Sequence, residues 1–303
     1  MPGEKSAADS APTKLQTFFK RLFSTVLLWV VVVAGLLLGN QVVRDLAVLL
    51  VIGVITVVGV MEICDMISKR GGRVYRAFAI IGGLAFVVGN WWAEVAARKS
   101  FFPESAVYLM PLALAGLLAY ALLLWRMFSK DMEHGTEKIA YTGLALVYVP
   151  LLLGVVMQIY FRHGSNGAWW LLYFILVTKS SDMGAYAVGS MIGKHKMIPR
   201  VSPGKTWEGF GGAIVGSALV SLVFAHFAQE RLVGMTFLHA LVLGIVLGAG
   251  SVVGDLVESL FKRESGVKDS GAYFPGIGGV LDLVDSVLFN APIMMAYIVW
   301  RMF

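Results

Sequence analysis

Read by hydropathy, the chain alternates long apolar runs with short polar connections. A helix crossing the hydrocarbon core of a bilayer needs roughly 20 mostly apolar residues. About nine stretches meet that length, at 22–39, 46–66, 75–97, 106–128, 140–161, 168–190, 210–229, 236–260 and 280–302. The pattern therefore predicts an all-α, polytopic integral membrane protein. Ahead of the first run, Met1 to Thr13 is rich in Ser, Ala, Pro and charge, which predicts a disordered tail. Lys14 to Phe23 then interleaves Lys14, Lys20 and Arg21 with Leu15, Phe18, Phe19 and Phe23, as a segment lying in the membrane interface would. The run 22–39 follows that polar tail and outlasts the apolar core of a signal peptide, so it is expected to be a retained helix.

Composition sharpens this picture. Hydrophobic side chains make up 58% of the 303 residues and charged ones 15%, with a mean hydropathy of +0.77. Soluble domains carry about 25% charged residues. The shortfall excludes a globular enzyme with a solvated surface, a disordered chain and a nucleic-acid-binding module. The net charge of +6 does not restore the last, because the basic residues lie in short clusters between apolar runs. Those clusters are topology signals. With the N-terminus in the cytoplasm, that side collects Lys69, Arg70, Arg73, Arg76, Lys194, Lys196, Arg200, Lys205, Lys262, Arg263 and Lys268 among others. The far side keeps only Arg44, Arg98, Lys99, Arg162, Arg231 and Arg301. Two polar loops, 191–209 and 261–279, then face the cytoplasm. No transit peptide is evident, so a bacterial inner membrane is the expected location. The lone Cys64 excludes an intramolecular disulfide and a zinc site built on several thiolates.

Chemistry gathers late in the chain. The division expected is 1–21 for the tail and basic approach, 22–177 for N-terminal membrane helices, and 178–303 for a C-terminal catalytic membrane region. Asp182, Asp255, Glu258, Asp282 and Asp285 all lie within apolar runs, where a carboxylate is expensive and marks function by default. Residues three apart share a helix face. Asp255 thus points with Glu258, and Asp282 with Asp285. Two such pairs on neighbouring helices repel each other unless a cation lies between them, and oxygen ligands alone favour a hard ion such as Mg²⁺. The alternative for each acid is a helix end in water or an N-cap. Lys179 beside Asp182 is expected to form a structural ion pair. Glu62, Asp65 and Glu94 are expected at the membrane interface, with no chemistry assigned.

The loop 191–209 leads into Ser202-Pro-Gly-Lys205-Thr206, which supplies hydroxyls, a flexible backbone and an ammonium, the parts of a phosphate cradle. No Walker frame fits it, and a basic loop drawn to anionic lipid heads is the alternative. The second loop is also basic and Gly-rich. Together the loops set cations around the acids, as a metal-bound nucleoside triphosphate requires. Gly244, Gly248, Gly250 and Gly254, like Gly212 and Gly216, have the spacing of close helix packing, and a homodimer is a further expectation from them.

Ser259-Leu-Phe-Lys262-Arg263-x4-Lys268-Asp269-x-Gly271-x2-Phe274-Pro275-x-Ile277-Gly278-Gly279-Val280-x-Asp282-x-Val284-Asp285 resembles, in register, the signature of the phosphatidate cytidylyltransferases. Asp182-x-x-Ala185-Tyr186-x-x-Gly189, Ser202-Pro203-x-Lys205-Thr206-x-Glu208-Gly209 and Gly254-Asp255-Leu256-x-Glu258-Ser259 look like other blocks of that family. Ile277 and Leu283 stand where its members usually carry His and Arg. The resemblance implies transfer of a cytidylyl group from CTP to phosphatidic acid, giving CDP-diacylglycerol and pyrophosphate with Mg²⁺ in the lipid bilayer. It implies Asp255, Asp282, Lys205 and Lys268 as catalytic residues, with Asp255 and Asp282 as metal ligands and Glu258 and Asp285 as neighbours that ligate or orient. Asp182, Tyr186, Ser202, Thr206, Glu208, Ser259, Lys262, Arg263 and Asp269 are implied at the substrates. Two readings stay open beside it: a divergent paralogue that binds lipid or nucleotide without this turnover, and a cation-coupled transporter.

Overall fold

The computed structural model describes residues 34–36, 40–101, 104–129, 133–271 and 278–302. The tail 1–21, the predicted span 22–39 apart from 34–36, and Ile277 lie outside the described residues. Helices run α1 (Gln41–Lys69), α2 (Arg76–Arg98), α3 (Glu104–Phe128), α4 (Gly135–Leu146), α5 (Leu152–Phe161), α6 (Gly167–Ile192), α7 (Trp207–Phe227), α8 (Phe237–Glu264) and α9 (Val280–Met302). No strand occurs among the described residues. Among the described residues, seven spans are long and apolar enough to cross a membrane: α1, α2, α3, the α4–α5 rod, α7, α8 and α9. Helix α6 is as long as these, and carries Lys179 and Asp182 in its second half.

Each predicted run from 46 onward coincides with one of these helices or with the α4–α5 rod, and α1, the rod, α7 and α8 outrun the apolar stretch by about a turn at one end or both. Hydrogen bonding does not stop where hydropathy does; it stops at caps. Asn40, Thr206 and Thr236 cap α1, α7 and α8 by accepting the N–H of Val43, Gly209 and His239. The rod α4–α5 is interrupted by a π-turn, Val147–Leu151, that contains Pro150. Proline has no N–H to give, and a widened turn absorbs the missing bond. The turn sets Tyr148 edge-on to Phe261 of α8, with ring centroids 5.4 Å apart.

Successive helices α6, α7, α8 and α9 pack pairwise, and α1 lies across α2 and α9. In lipid no hydrophobic gain draws helices together, so small residues that admit close backbones decide the contacts. A Cβ on Gly244 would lie 2.6 Å from Ala218 Cα, and one on Gly248 would lie 2.9 Å from Ser217 Cβ. Gly254 meets Phe289 Cβ at 2.7 Å in the same sense, which presses α8 against α9 one residue before Asp255. These glycines face helices of their own chain and supply no argument for a dimer.

Candidate active site

Helices α6, α8 and α9 bring five carboxylates to one end of the bundle. On α8, Asp255 and Glu258 share a face; on α9, Asp285 sits opposite, against the backbone that Gly254 admits. Oxygens of Asp255, Glu258 and Asp285 all lie within 4.8 Å of one another. Glu258 is 1% exposed and Asp285 4%. Glu258 Oε1 has no hydrogen-bond partner, and an open acceptor oxygen beside two further acids is a place a cation can occupy. The donor set, oxygens only and partly buried, suits a hard divalent ion.

Three lysines border the triad. Lys205 Nζ reaches Asp255 Oδ2 at 2.5 Å and donates to Val252 O at 2.9 Å. Lys262 Nζ lies 2.5 Å from Glu258 Oε2 and 2.7 Å from Asp282 Oδ1. Lys179, expected only to pair with Asp182, spans two acids, 3.6 Å from Asp182 Oδ2 and 3.5 Å from Asp285 Oδ1.

Asp282 borders the triad, sharing Lys262 with Glu258 through its Oδ1. Its Oδ2 accepts the N–H of Gly279 at 2.7 Å and both the N–H and hydroxyl of Ser270, at 3.3 and 3.1 Å. A third-position acid bonding back to the N-cap amide is a capping box. Asp282 thus caps α9 through Oδ2 while its Oδ1 stays on Lys262, and Asp285, read as its neighbour, faces Asp255. Glu62 of α1, expected at the interface, is fully buried and binds the start of α9. The sequence signal for both Glu62 and Lys179 was a charge inside an apolar run; no motif contains Glu62.

The cradle loop is ordered from within. Met197 N–H donates to Lys205 O and Trp207 N–H to His195 O, at 3.1 and 2.9 Å. Glu208 accepts the N–H groups of Lys194 and His195, and its Oε1 lies 2.6 Å from His195 Nδ1. Thr206 spends its hydroxyl on Gly209. Two of the expected substrate contacts thus hold the loop, with Ser202 half-buried in the turn closed by Lys205. Arg263 Nε donates to Val201 O at 3.1 Å and ties this loop to the end of α8. Ser259 is buried on α8, whereas Asp182, Tyr186, Lys268 and Asp269 are exposed. Leu283 is half-buried one residue beyond Asp282.

Residues 19–300 match the model of the cytidylyltransferase family. The chain belongs to that family. Among similar proteins, the phosphatidate cytidylyltransferase of Staphylococcus haemolyticus is 35% identical over 77% of this chain and 81% of its own length. That of Bacillus subtilis is 34% identical over 70% of this chain and 76% of its own. The Haemophilus influenzae protein of the same name reaches 41%, over 48% of this chain and 51% of its own. Membership in the cytidylyltransferase family explains an acid-rich site ringed by lysines at the end of apolar helices, since a polyanionic nucleotide must meet a lipid there.

Proposed function

We propose that this cytidylyltransferase joins CTP to phosphatidic acid. A phosphate oxygen of the lipid attacks the α-phosphorus of CTP; the new P–O bond forms as the α–β bridging bond breaks, releasing pyrophosphate and leaving CDP-diacylglycerol in the bilayer. The lipid phosphate is already an anion and a nucleophile, so no Ser–His pair is needed, and catalysis rests on placement and charge.

The observation that carries the reading is the partly buried triad Asp255, Glu258 and Asp285 with lysines on its rim. These three carboxylates would hold Mg²⁺, which when bound supplies positive charge to the triphosphate and to departing pyrophosphate. Lys205 waits on Asp255, within reach of any phosphate beside the triad. Lys262 is held by Asp282 and Glu258, so its charge is fixed in direction before substrate arrives. Lys268 and Asp269 are exposed, free to meet the polar head of a lipid. The acyl chains stay among apolar side chains. By the distribution of Lys and Arg, loops 191–209 and 261–279 face the cytoplasm of a bacterial inner membrane, where CTP is available.

The test is direct. Purified protein in vesicles containing phosphatidic acid, given labelled CTP and Mg²⁺, should form labelled CDP-diacylglycerol. No product with folded protein, or equal turnover after chelation of divalent ions, would overturn the reading.

A further inference from the structure

The acids assigned to this reaction lie in the second half of the chain, yet the start of α9 is fixed from the first half. Glu62, on α1, has no exposed surface. Its Oε1 accepts the N–H of Val280 and its Oε2 the N–H of Leu281, both at 2.8 Å, and the Ser270 hydroxyl donates to Oε2 at 3.2 Å. These partners are more than two hundred residues away in sequence. Helix N-terminal amides have no partner inside their own helix and carry the positive end of the helix dipole. A buried carboxylate supplied by another helix satisfies both needs at once.

The same hydroxyl of Ser270 lies 3.1 Å from Asp282 Oδ2, so Glu62 and Asp282 share its single proton. Space around it is closed. A Cβ on Gly271 would press on Glu62, and one on Gly279 would meet Gly271 N at 2.7 Å and Glu62 Oε1 at 2.8 Å. Gly278 turns the chain at φ +104°, which side-chain-bearing residues rarely adopt. Two glycine positions and a left-handed turn thus let three segments converge on one carboxylate.

We propose that Glu62 is a positioning residue for the transfer: it fixes the start of α9 and Ser270, and through them the direction in which Asp282 holds Lys262. The proposal rests on the reading of the site given above. Glu62 touches neither the triad nor Lys262 in the contacts described. Its effect passes through Asp282, whose Oδ1 lies 2.7 Å from Lys262 Nζ.

Glu62→Gln keeps the volume but leaves one acceptor oxygen where two backbone N–H groups point, so one of those bonds must break. In the vesicle assay its kcat should fall by about 10- to 100-fold, the range for displacing a supporting group by an ångström or less. The KM for CTP should stay within about threefold if Lys262 is misdirected only as charge develops. Loss should be non-additive with Asp282→Asn: the double variant should be no slower than the worse single one. Ser270→Ala, which removes only the shared hydroxyl, should show a smaller loss with the same non-additivity. Asp45→Asn, an equally enclosed acid at the far end of α1, should leave turnover per folded molecule unchanged.

Hydrogen exchange at Val280 and Leu281, together with tryptic cleavage after Lys268, reads the anchoring without any turnover. Both should rise in Glu62→Gln while protection elsewhere holds. Wild-type kcat in the variant, a loss additive with Asp282→Asn, or unchanged exchange at Val280 and Leu281 would overturn the proposal. Failure of the wild-type protein to turn over would sink the reading of the reaction instead, and exchange would still decide whether Glu62 anchors α9.

Discussion

Helix α1 carries a buried acid at each end, and the surroundings of the two differ in one respect. Asp45 and Glu62 are 17 positions apart, about 25 Å along the axis. Around Asp45 the charges are matched. Arg98 Nη1 meets Asp45 Oδ2 at 2.8 Å, the Tyr160 hydroxyl donates to Oδ1 at 2.8 Å, and Arg162 Nη2 lies 3.1 Å from Glu94 Oε1. Two acids face two guanidinium groups. At the other end Glu62, Asp255, Glu258, Asp282 and Asp285, buried or half-buried, meet Lys179, Lys205 and Lys262, five carboxylates to three ammonium groups, with Asp182 exposed beside Lys179. A buried, fully matched cluster holds helices together and has no use for a ligand. A buried excess of acid is stable only with a cation, which makes it a binding site.

The comparison is tested hardest at Asp285. Asp285→Ala removes one wall of the triad, and turnover should drop by about 10³-fold, equivalent to several kcal/mol of lost charge stabilisation. Equilibrium dialysis with Mn²⁺ as a stand-in for Mg²⁺ should show weaker metal binding, while the unfolding temperature in detergent holds or rises because repulsion has been relieved. A fall in stability equal to that of a matched-cluster variant would mean that the two ends do not differ in kind.

Arg98→Met makes the reciprocal case. It leaves Asp45 enclosed with only the Tyr160 hydroxyl and should cost about 3 kcal/mol of stability, as breaking a buried pair does. Turnover per folded molecule should change by less than about twofold, since the site is some 25 Å away. Thermal unfolding in detergent and the vesicle assay check the two halves separately.

Much of this contrast was legible in sequence. Runs of apolar residues placed the helices, and the three-residue spacing put Asp255 with Glu258 and Asp282 with Asp285. Which member of the second pair would face Asp255 was not legible. That choice depends on how α9 begins, and its beginning is set by Gly278, by Gly279 and by Glu62 from a distant helix. Spacing along one helix fixes a shared face; it does not fix the rotation of that face toward a neighbour. The matched cluster was missed for a related reason. Glu94 and Arg162 are each ordinary at a helix end, and only packing of α2 against α5 makes them a pair.

A pH dependence of stability is expected at the matched end. His163, in the connection between α5 and α6, stacks on Trp170 with ring centroids 4.0 Å apart, and burial pushes its pKa down to about 4. The folded protein holds the ring neutral where the unfolded chain would protonate it below about pH 6.5. Its contribution to stability is therefore complete above that pH and is lost progressively as pH falls toward 4. Between pH 7 and pH 5 the loss should be about 2 kcal/mol. His163→Phe should flatten this part of the profile when unfolding is followed across that interval; an unchanged slope would assign the dependence elsewhere.

The smallest effect should come from a pair that looks strong on distance alone. Arg70, just past α1, and Glu264, the last residue of α8, lie 2.5 Å apart, closer than Arg98 and Asp45. Their side chains are 50% and 41% exposed, so water already solvates both charges and competes with the contact. Holding two long side chains in one geometry also costs rotamer entropy, and salt screens what attraction remains. Arg70→Ala should shift stability by less than about 1 kcal/mol, and less still at high salt. Because the pair joins the helix of Glu62 to the helix that bears Asp255 and Glu258, it also isolates burial from connectivity. A loss matching that of Arg98→Met would show that linking α1 to α8 matters in itself, and burial would no longer explain why the two ends of α1 behave differently.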